Sequence, residues 1–311
     1  MQNPKVTVSV ITYNQAKYVE KALQSVLSQE VDFAYEILIG DDCSTDGTRE
    51  LLKQFQQSFP DRIRLFLHEK KYQGVPGKLS IVTNLEAAKG EYIALLDGDD
   101  WWESNNKLQV QADFLDQHQD FALTFHNTSF LWEENLHPAW SYNDRYHHYG
   151  KTAGFTHQEV VAGLDINSSS MMFRLSALLP IPEWYWQVYN GDYAMALLTS
   201  RHGKVKYFEG LTCCCFKNTS SMTRVSENSL WANSIMIKQN RAFKKHFKRE
   251  YAPVFQQRIA DLYFKRGFIL RRIGKYAAMS AAFARAAAIS PTTAIHYLKK
   301  KFNNNGIKQQ V

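Results

Sequence analysis

The sequence predicts an α/β fold, a mostly parallel sheet flanked by helices, followed by a basic α-helical region. Two observations carry this expectation. From residue 5 to about residue 96, short apolar runs alternate with stretches of helical periodicity; near Leu230 the composition turns Ala-rich and basic. The connections between the alternating units are short, and repeated strand–helix units of that kind build a parallel sheet with helices on both faces.

The elements follow in order. Residues 6–12 read as a buried strand, after which Val19, Leu23, Val26 and Leu27 share one helical face. Residues 35–40 form a second strand, followed by a helix carrying Leu51, Leu52 and Phe55. The third strand is 63–67; a helix with Ile81, Val82, Leu85 and Ala88 leads to the fourth at 92–96. Beyond it the pattern is less regular, with strands expected at 121–132, 169–173, 205–208 and 211–216. Thr156 and Glu159 have the spacing of a capping box and mark a helix start. A further helix holds Tyr193, Ala196 and Leu197 and stops at Gly203. Residues 132–150, rich in Trp, Tyr, His and Asn, lack periodicity and read as a long functional loop.

After Leu230, the positions of Gly267, Leu270, Gly274, Tyr276, Phe283, Ala286 and Pro291 are similar to one tetratricopeptide-type helix pair at about 260–293. Met279 takes a usual Ala position there. A lone repeat cannot bury both faces, so it is expected to dock on the preceding helices or on a second copy, a homodimer. Disorder is expected only at the end, 303–310. The expected division is 1–225 and 226–311.

The formal net charge of +7 conceals an asymmetry. From Leu230 onward 17 Lys/Arg face 2 Asp/Glu, which leaves 20 against 28 before it. A mildly acidic body with a basic tail points to an anionic partner, a membrane surface ahead of nucleic acid, for which no recognised motif exists. No apolar stretch approaches the roughly 20 residues of a membrane span. The expected location is therefore the cytoplasm, peripheral on the inner face of the cell membrane. Four cysteines, three of them consecutive at 213–215, offer neither a disulfide framework nor metal-ligand spacing and read as reduced, buried side chains.

Two acidic clusters sit where predicted strands run out: Asp41-Asp42-Cys43-Ser44-Thr45-Asp46-Gly47-Thr48 and Asp97-Gly98-Asp99-Asp100-Trp101-Trp102. Crowded carboxylates repel, so a metal or a hydrogen-bonded ligand must supply compensation. The carboxyl ends of strands are also where open α/β sheets bind ligands. With Val8-Ser9-Val10-Ile11-Thr12-Tyr13-Asn14 before them, these motifs closely resemble family 2 glycosyltransferases of the GT-A fold, over about residues 5–220.

That resemblance implies an inverting, metal-dependent transfer of one sugar from a nucleotide-sugar, UDP-linked, to a hydroxyl of a glycan or lipid-linked acceptor. Asp97-Gly98-Asp99 is similar to the DxD element, which implies Asp99 as a ligand of Mn2+ or Mg2+ and Asp97 toward the ribose or the metal. Asp100 could share either role. Asp42 would accept the imide N–H of uracil, a strong hydrogen bond for a buried carboxylate. Asp41 and Asp46 would organise their loop and cap the next helix. Thr12, Tyr13 and Asn14 would line the base pocket, with Asn14 equally readable as a helix N-cap. Asn84 stands where the family has Arg-Asn; here Thr83 replaces the Arg. Asn190-Gly191-Asp192-Tyr193 is similar to the family's acidic motif, with Gly for its first acid, and makes Asp192 the general base. Lys217, where the family often has Tyr-Arg, could meet a phosphate as a point charge. The Gln-x-x-Arg-Trp element of processive synthases is absent, which implies single addition. A nucleotidyltransferase would need a Gly-rich basic loop after the first strand, and Thr12-Tyr13-Asn14-Gln15 is not one.

Overall fold

Runs of β-branched and aliphatic residues form the centre of a sheet: β1 (Val6–Thr12), β2 (Tyr35–Asp41) and β3 (Ile63–Leu67). Between them lie α1 (Val19–Leu27) and α2 (Thr48–Ser58). Then come α3 (Lys78–Ala87), β4 (Tyr92–Asp97), the two-residue β5 (Trp101–Trp102), α4 (Lys107–Gln117) and β6 (Phe121–Trp132). The series continues with β7 (Asn135–Ser141), α5 (Tyr142–Tyr146), α6 (His157–Gly163), β8 (Met172–Arg174), α7 (Gly191–Thr199) and β9 (Lys204–Lys217). This computed structural model describes residues 3–70, 72–133, 135–146, 154–217, 229–247 and 250–292, with backbone only at 135–140 and 145.

The strand order is β3-β2-β1-β4-β8-β6-β9-β5, with β7 beside β6. β1 lies parallel to both β2 and β4, and β2 parallel to β3. The chain therefore runs outward from β1 through β2 to β3, then returns to place β4 on the other side of β1. That reversal opens a crevice at the carboxyl ends of β1 and β4, the position where such sheets bind ligands. Beyond β4 the pairing turns mixed: β8 is antiparallel to β4 and β6, and β9 is parallel to β6.

Both faces of the central strands are covered. Val6, Val8, Val10, Ile37 and Ile39 pack with Val19, Leu23 and Val26 of α1 in a core shared with Leu108 and Leu115 of α4. Leu38, Ile93 and Leu95 are buried on the other face, where Val82 and Leu85 of α3 are also buried. Each such side chain contributes roughly 1.5–3 kcal/mol by leaving water.

Several expectations need correction. Residues 132–150 are not one loop: β7 pairs antiparallel with β6, and α5 follows it, while 134 and 147–150 lie outside the described residues. The two strands expected at 205–216 are one, β9, which keeps its pairing with β6 across a register shift. Residues 168–170 form a 3-10 turn, and the strand begins at Met172. The Thr156–Glu159 capping box is present at α6. The cysteines are free; Cys213, Cys214 and Cys215 are buried, Cys43 only half so.

The strands above belong to one compact unit, residues 1–186 with 190–219; residues 187–189 with 220–311 form a second. The second holds α8 (Leu230–His246), α9 (Ala252–Arg272) and α10 (Tyr276–Ile289). Ser229 caps α8 by accepting the Ala232 N–H at 3.0 Å. Ile237, Ile259, Tyr263, Phe264 and Ala286 form its core, so the helix pair docks on the preceding helix. Gly267 of α9 lies directly against the Phe283 ring of α10. The turn between α9 and α10 is a Schellman motif: Lys275 N–H donates to the Leu270 carbonyl and Gly274 N–H to that of Arg271, with Gly274 at φ 73°. It leaves Ile273 52% and Tyr276 63% exposed beside Arg271, Arg272 and Lys275. Among the described residues no helix is long and apolar enough to cross a membrane. Residues 303–310 lie outside the described residues.

Candidate active site

Two loops leave the ends of β1 and β2 and are laced together. Asn14 N–H donates to Ser44 Oγ, and Thr45 N–H to Asn14 Oδ1, both at 2.9 Å. Gln15 N–H reaches Thr48 Oγ1 at 2.9 Å and Ala16 N–H reaches Asp46 at 3.0 Å. Asn14 (φ 51°) and Cys43 (φ 65°) both take left-handed backbone at this crossing, which for non-glycine residues is a cost that neighbouring contacts must hold in place. Asn14 is therefore a clasp and not an N-cap; α1 begins behind Tyr18. Asp46 likewise braces the loop through Thr48, while Gly47 occupies the N-cap position of α2.

The two aspartates at the end of β2 have different fates. Asp41 is saturated: it accepts from Thr12 Oγ1 (3.1 Å), Ser44 N–H (3.0 Å), Ser44 Oγ and Arg49 Nε (2.6 Å). Asp42 is equally buried but, among the described residues, accepts only the Gly77 N–H, at 3.2 Å on Oδ2, and its buried Oδ1 has no partner there. A buried carboxylate oxygen left so is costly unless a ligand donor meets it. Register places His68 opposite Asp42, one step beyond the Asp41–Leu67 pair, and His68 Nε2 is also buried without a partner. Tyr13 is 41% exposed at the same rim.

The second cluster closes β4. Asp97 accepts from Ser168 Oγ at 2.8 Å, and its N–H donates to Ser169 Oγ. Asp100 uses both oxygens, on Ser169 Oγ (2.6 Å) and the Phe216 N–H (2.9 Å). Asp99 is pushed up to about 6, by burial first and then by Asp97. Asp97 is raised by burial against the Ser168 hydrogen bond. Lys217 sits among them: burial works against its charge, yet Cys215, Asp100 and Asp97 outweigh it and hold the ammonium above its ordinary value. The structure thus brings Lys217 to the acidic cluster.

Asp192, at the start of α7, is pushed up to about 6 by burial, with Asp97 and Asp165 adding and Lys78 opposing. Its Oδ1 accepts the Tyr193 N–H at 2.7 Å. Thr12, Tyr13, Asn14, Asp42, Asp97, Asp99, Asp192 and Lys217 therefore gather from β1, β2, β4, α7 and β9 at one end of the sheet. Asn84 does not join them. Its Nδ2 donates to Ser9 Oγ and to the Val10 and Leu38 carbonyls at 3.0–3.1 Å, deep between α3 and the sheet. Gly77, Lys78, His68 and Tyr185 were missed by sequence reading; only the strand-end position of His68 could have signalled one of them.

A divalent metal fits these residues as a partner shared with a ligand. No group of three Asp, Glu, His or Cys side chains among the described residues could hold one alone. Asp97 and Asp99, each with a raised carboxyl, offer two hard oxygen ligands, and Mg2+-type ions often take one or two carboxylates with phosphate oxygens completing the shell.

The chain belongs to glycosyl transferase family 2, whose model matches residues 7–176. It is similar to the putative teichuronic acid biosynthesis glycosyltransferase TuaG of Bacillus subtilis, 42% identical over 118 residues, 37% of this chain and 44% of that protein. The first curated relatives are matched over less than half of their own length. The fold is that of Staphylococcus aureus TarS 1-349 crystallised with UDP-GlcNAc: TM-score 0.62, 17% identity, 95% of this chain and 92% of that one. It also resembles the mannosyltransferase PcManGT of Pyrobaculum calidifontis in complex with GDP-Man and Mn2+, with TM-score 0.56, 17% identity, and 97% and 81% coverage. The GT-A fold expected from the motifs is thus present.

Proposed function

We propose that the protein is an inverting, single-addition glycosyltransferase. It moves one sugar from a UDP-linked donor to a hydroxyl of a glycan or lipid-linked acceptor in surface polysaccharide synthesis. The observation that carries this reading is the buried, unpartnered Oδ1 of Asp42, an acceptor waiting for a base N–H at the crevice the strand order opens. The likeness to TuaG, a putative teichuronic acid biosynthesis glycosyltransferase, and the UDP-GlcNAc bound to TarS support the class of product and of donor.

In this mechanism Asp42 takes the imide N–H, and Thr12, Tyr13 and Asn14 shape the base pocket. Asp99 and Asp97 would hold a Mn2+ or Mg2+ ion, which supplies Lewis-acid compensation for the leaving diphosphate. Asp192 accepts the proton of the acceptor hydroxyl as it attacks the anomeric carbon from the face opposite the leaving group. That proton moves late, so a carboxylate of modest basicity suffices. Lys217 opposes the upward shift of the acidic cluster and can face a phosphate. The basic second unit, with Ile273 and Tyr276 exposed among cations, supports peripheral attachment to an anionic inner membrane face.

A thermal-shift screen of nucleoside diphosphates and their sugars, with Mn2+, Mg2+ or a chelator, tests the reading. A ligand at 100 times its Kd adds about 2.7 kcal/mol of stability. Metal-dependent stabilisation by UDP and one UDP-sugar is expected; no response to any nucleotide with metal present would remove the donor site.

A further inference from the structure

Position 191 is where this chain has glycine in place of the acid usual before the Asp of that motif. The space its side chain would enter is already claimed. A Cβ on Gly191 would lie 2.9 Å from Lys78 Nζ and 2.9 Å from the Tyr185 hydroxyl. Lys78 is only 3% exposed, and its ammonium lies over the Tyr185 ring at 3.8 Å from the centroid. Tyr185 is 1% exposed, and its buried hydroxyl has no hydrogen-bond partner among the described residues. A lysine ammonium and an orphan hydroxyl thus converge beside Asp192, whose carboxylate attracts the ammonium, while among the described residues the hydroxyl has no acceptor. Burial works against the ammonium, and a buried hydroxyl without an acceptor is unfavourable, so their convergence suits an anionic ligand oxygen that meets both.

The course of the chain says which anion. Lys78 follows Gly77, whose N–H holds Asp42 at the base pocket; its other end reaches Gly191, next to Asp192. Lys78 therefore spans the interval between the nucleobase position and the reacting carbon, and in a nucleotide-sugar that interval is the diphosphate. It also opens α3, a ten-residue helix whose N-terminus favours negative charge. Lys217, the other cation here, is already engaged with Asp97, Asp100 and Cys215.

We propose that Lys78 and the Tyr185 hydroxyl form an anion subsite for the donor's diphosphate. This rests on the donor-site reading above. A side chain at position 191 would displace the ammonium from this place, since its Cβ would lie 2.9 Å from Lys78 Nζ.

The test compares a nucleoside diphosphate with its own nucleoside, UDP against uridine or the pair the wild type prefers. Titration calorimetry in a chelator isolates the protein's own cations from any metal. Lys78→Met keeps the side-chain volume, and Tyr185→Phe removes one oxygen. Each should weaken UDP by about tenfold or more while leaving uridine unchanged, the size expected for a lost charge-assisted hydrogen bond. UDP binding unchanged in both variants would overturn the subsite and leave Lys78 as a partner of Asp192 alone. An equal loss of uridine would also overturn it, by showing that the variants disturb the base pocket. If the wild type binds neither compound, the donor site itself fails and the subsite with it.

Discussion

A carboxyl buried beside other carboxyls resists ionisation, and Asp192 shows the effect at the place where chemistry is proposed. As a base it works only when ionised, so its ordinary acid limb moves upward. Transfer measured as kcat/KM should fall about tenfold for each pH unit below about 6 and level off above it. Asp192→Asn should fold normally and lose transfer by roughly 100-fold or more at every pH. A variant with near wild-type rates would take Asp192 out of the mechanism. At this scale the acids that close β2 and β4 were legible in sequence because they stand at strand ends; Asp192, at the start of α7, was singled out by the resemblance alone. Lys78 and Tyr185 were not, since neither lies in a patterned motif and their convergence depends on α3 and the turn before α7 meeting in space. Asn84 misled for the converse reason: a family position does not reveal that its Nδ2 is engaged by Ser9, Val10 and Leu38 beneath α3.

At the scale of elements, the central strands were readable because both faces are buried and their apolar runs are unbroken. β7 was not, because residues 135–141 carry a proline and the alternation is short within a stretch that otherwise lacks periodicity; pairing with β6 is what makes them a strand. β5 is two residues long and pairs with β9, too short for any periodicity to register. The helix pair is more explicit. Gly267 is required because an added Cβ would come within 2.3 Å of the Phe283 ring. Gly267→Ala should therefore destabilise the second unit by about 1–3 kcal/mol, the usual cost of overpacking. Chemical unfolding followed by circular dichroism reads this directly; unchanged stability would mean that α9 and α10 are loosely packed.

At the scale of the molecule, charge separates by region: the acidic residues concentrate before Leu230 and the basic ones after it. Clustered cations gain on the order of 1 kcal/mol each near an anionic bilayer. The protein should pellet with anionic vesicles at low salt, leave them at high salt, and ignore neutral vesicles. Ile273→Asp should weaken this attachment by removing the exposed apolar tip of the α9–α10 turn. Indifference to lipid charge would discard the membrane partner while leaving the proposed transfer reaction intact.

The lacing of the β1 and β2 loops has a consequence for kinetics. Asn14 with Ser44 and Thr45, and Gln15 with Thr48, are already fixed by one another, so a nucleotide bound as proposed would find backbone whose conformational entropy was surrendered during folding. Capture then asks for little rearrangement of this wall, and its rate is governed by encounter and orientation instead of loop ordering.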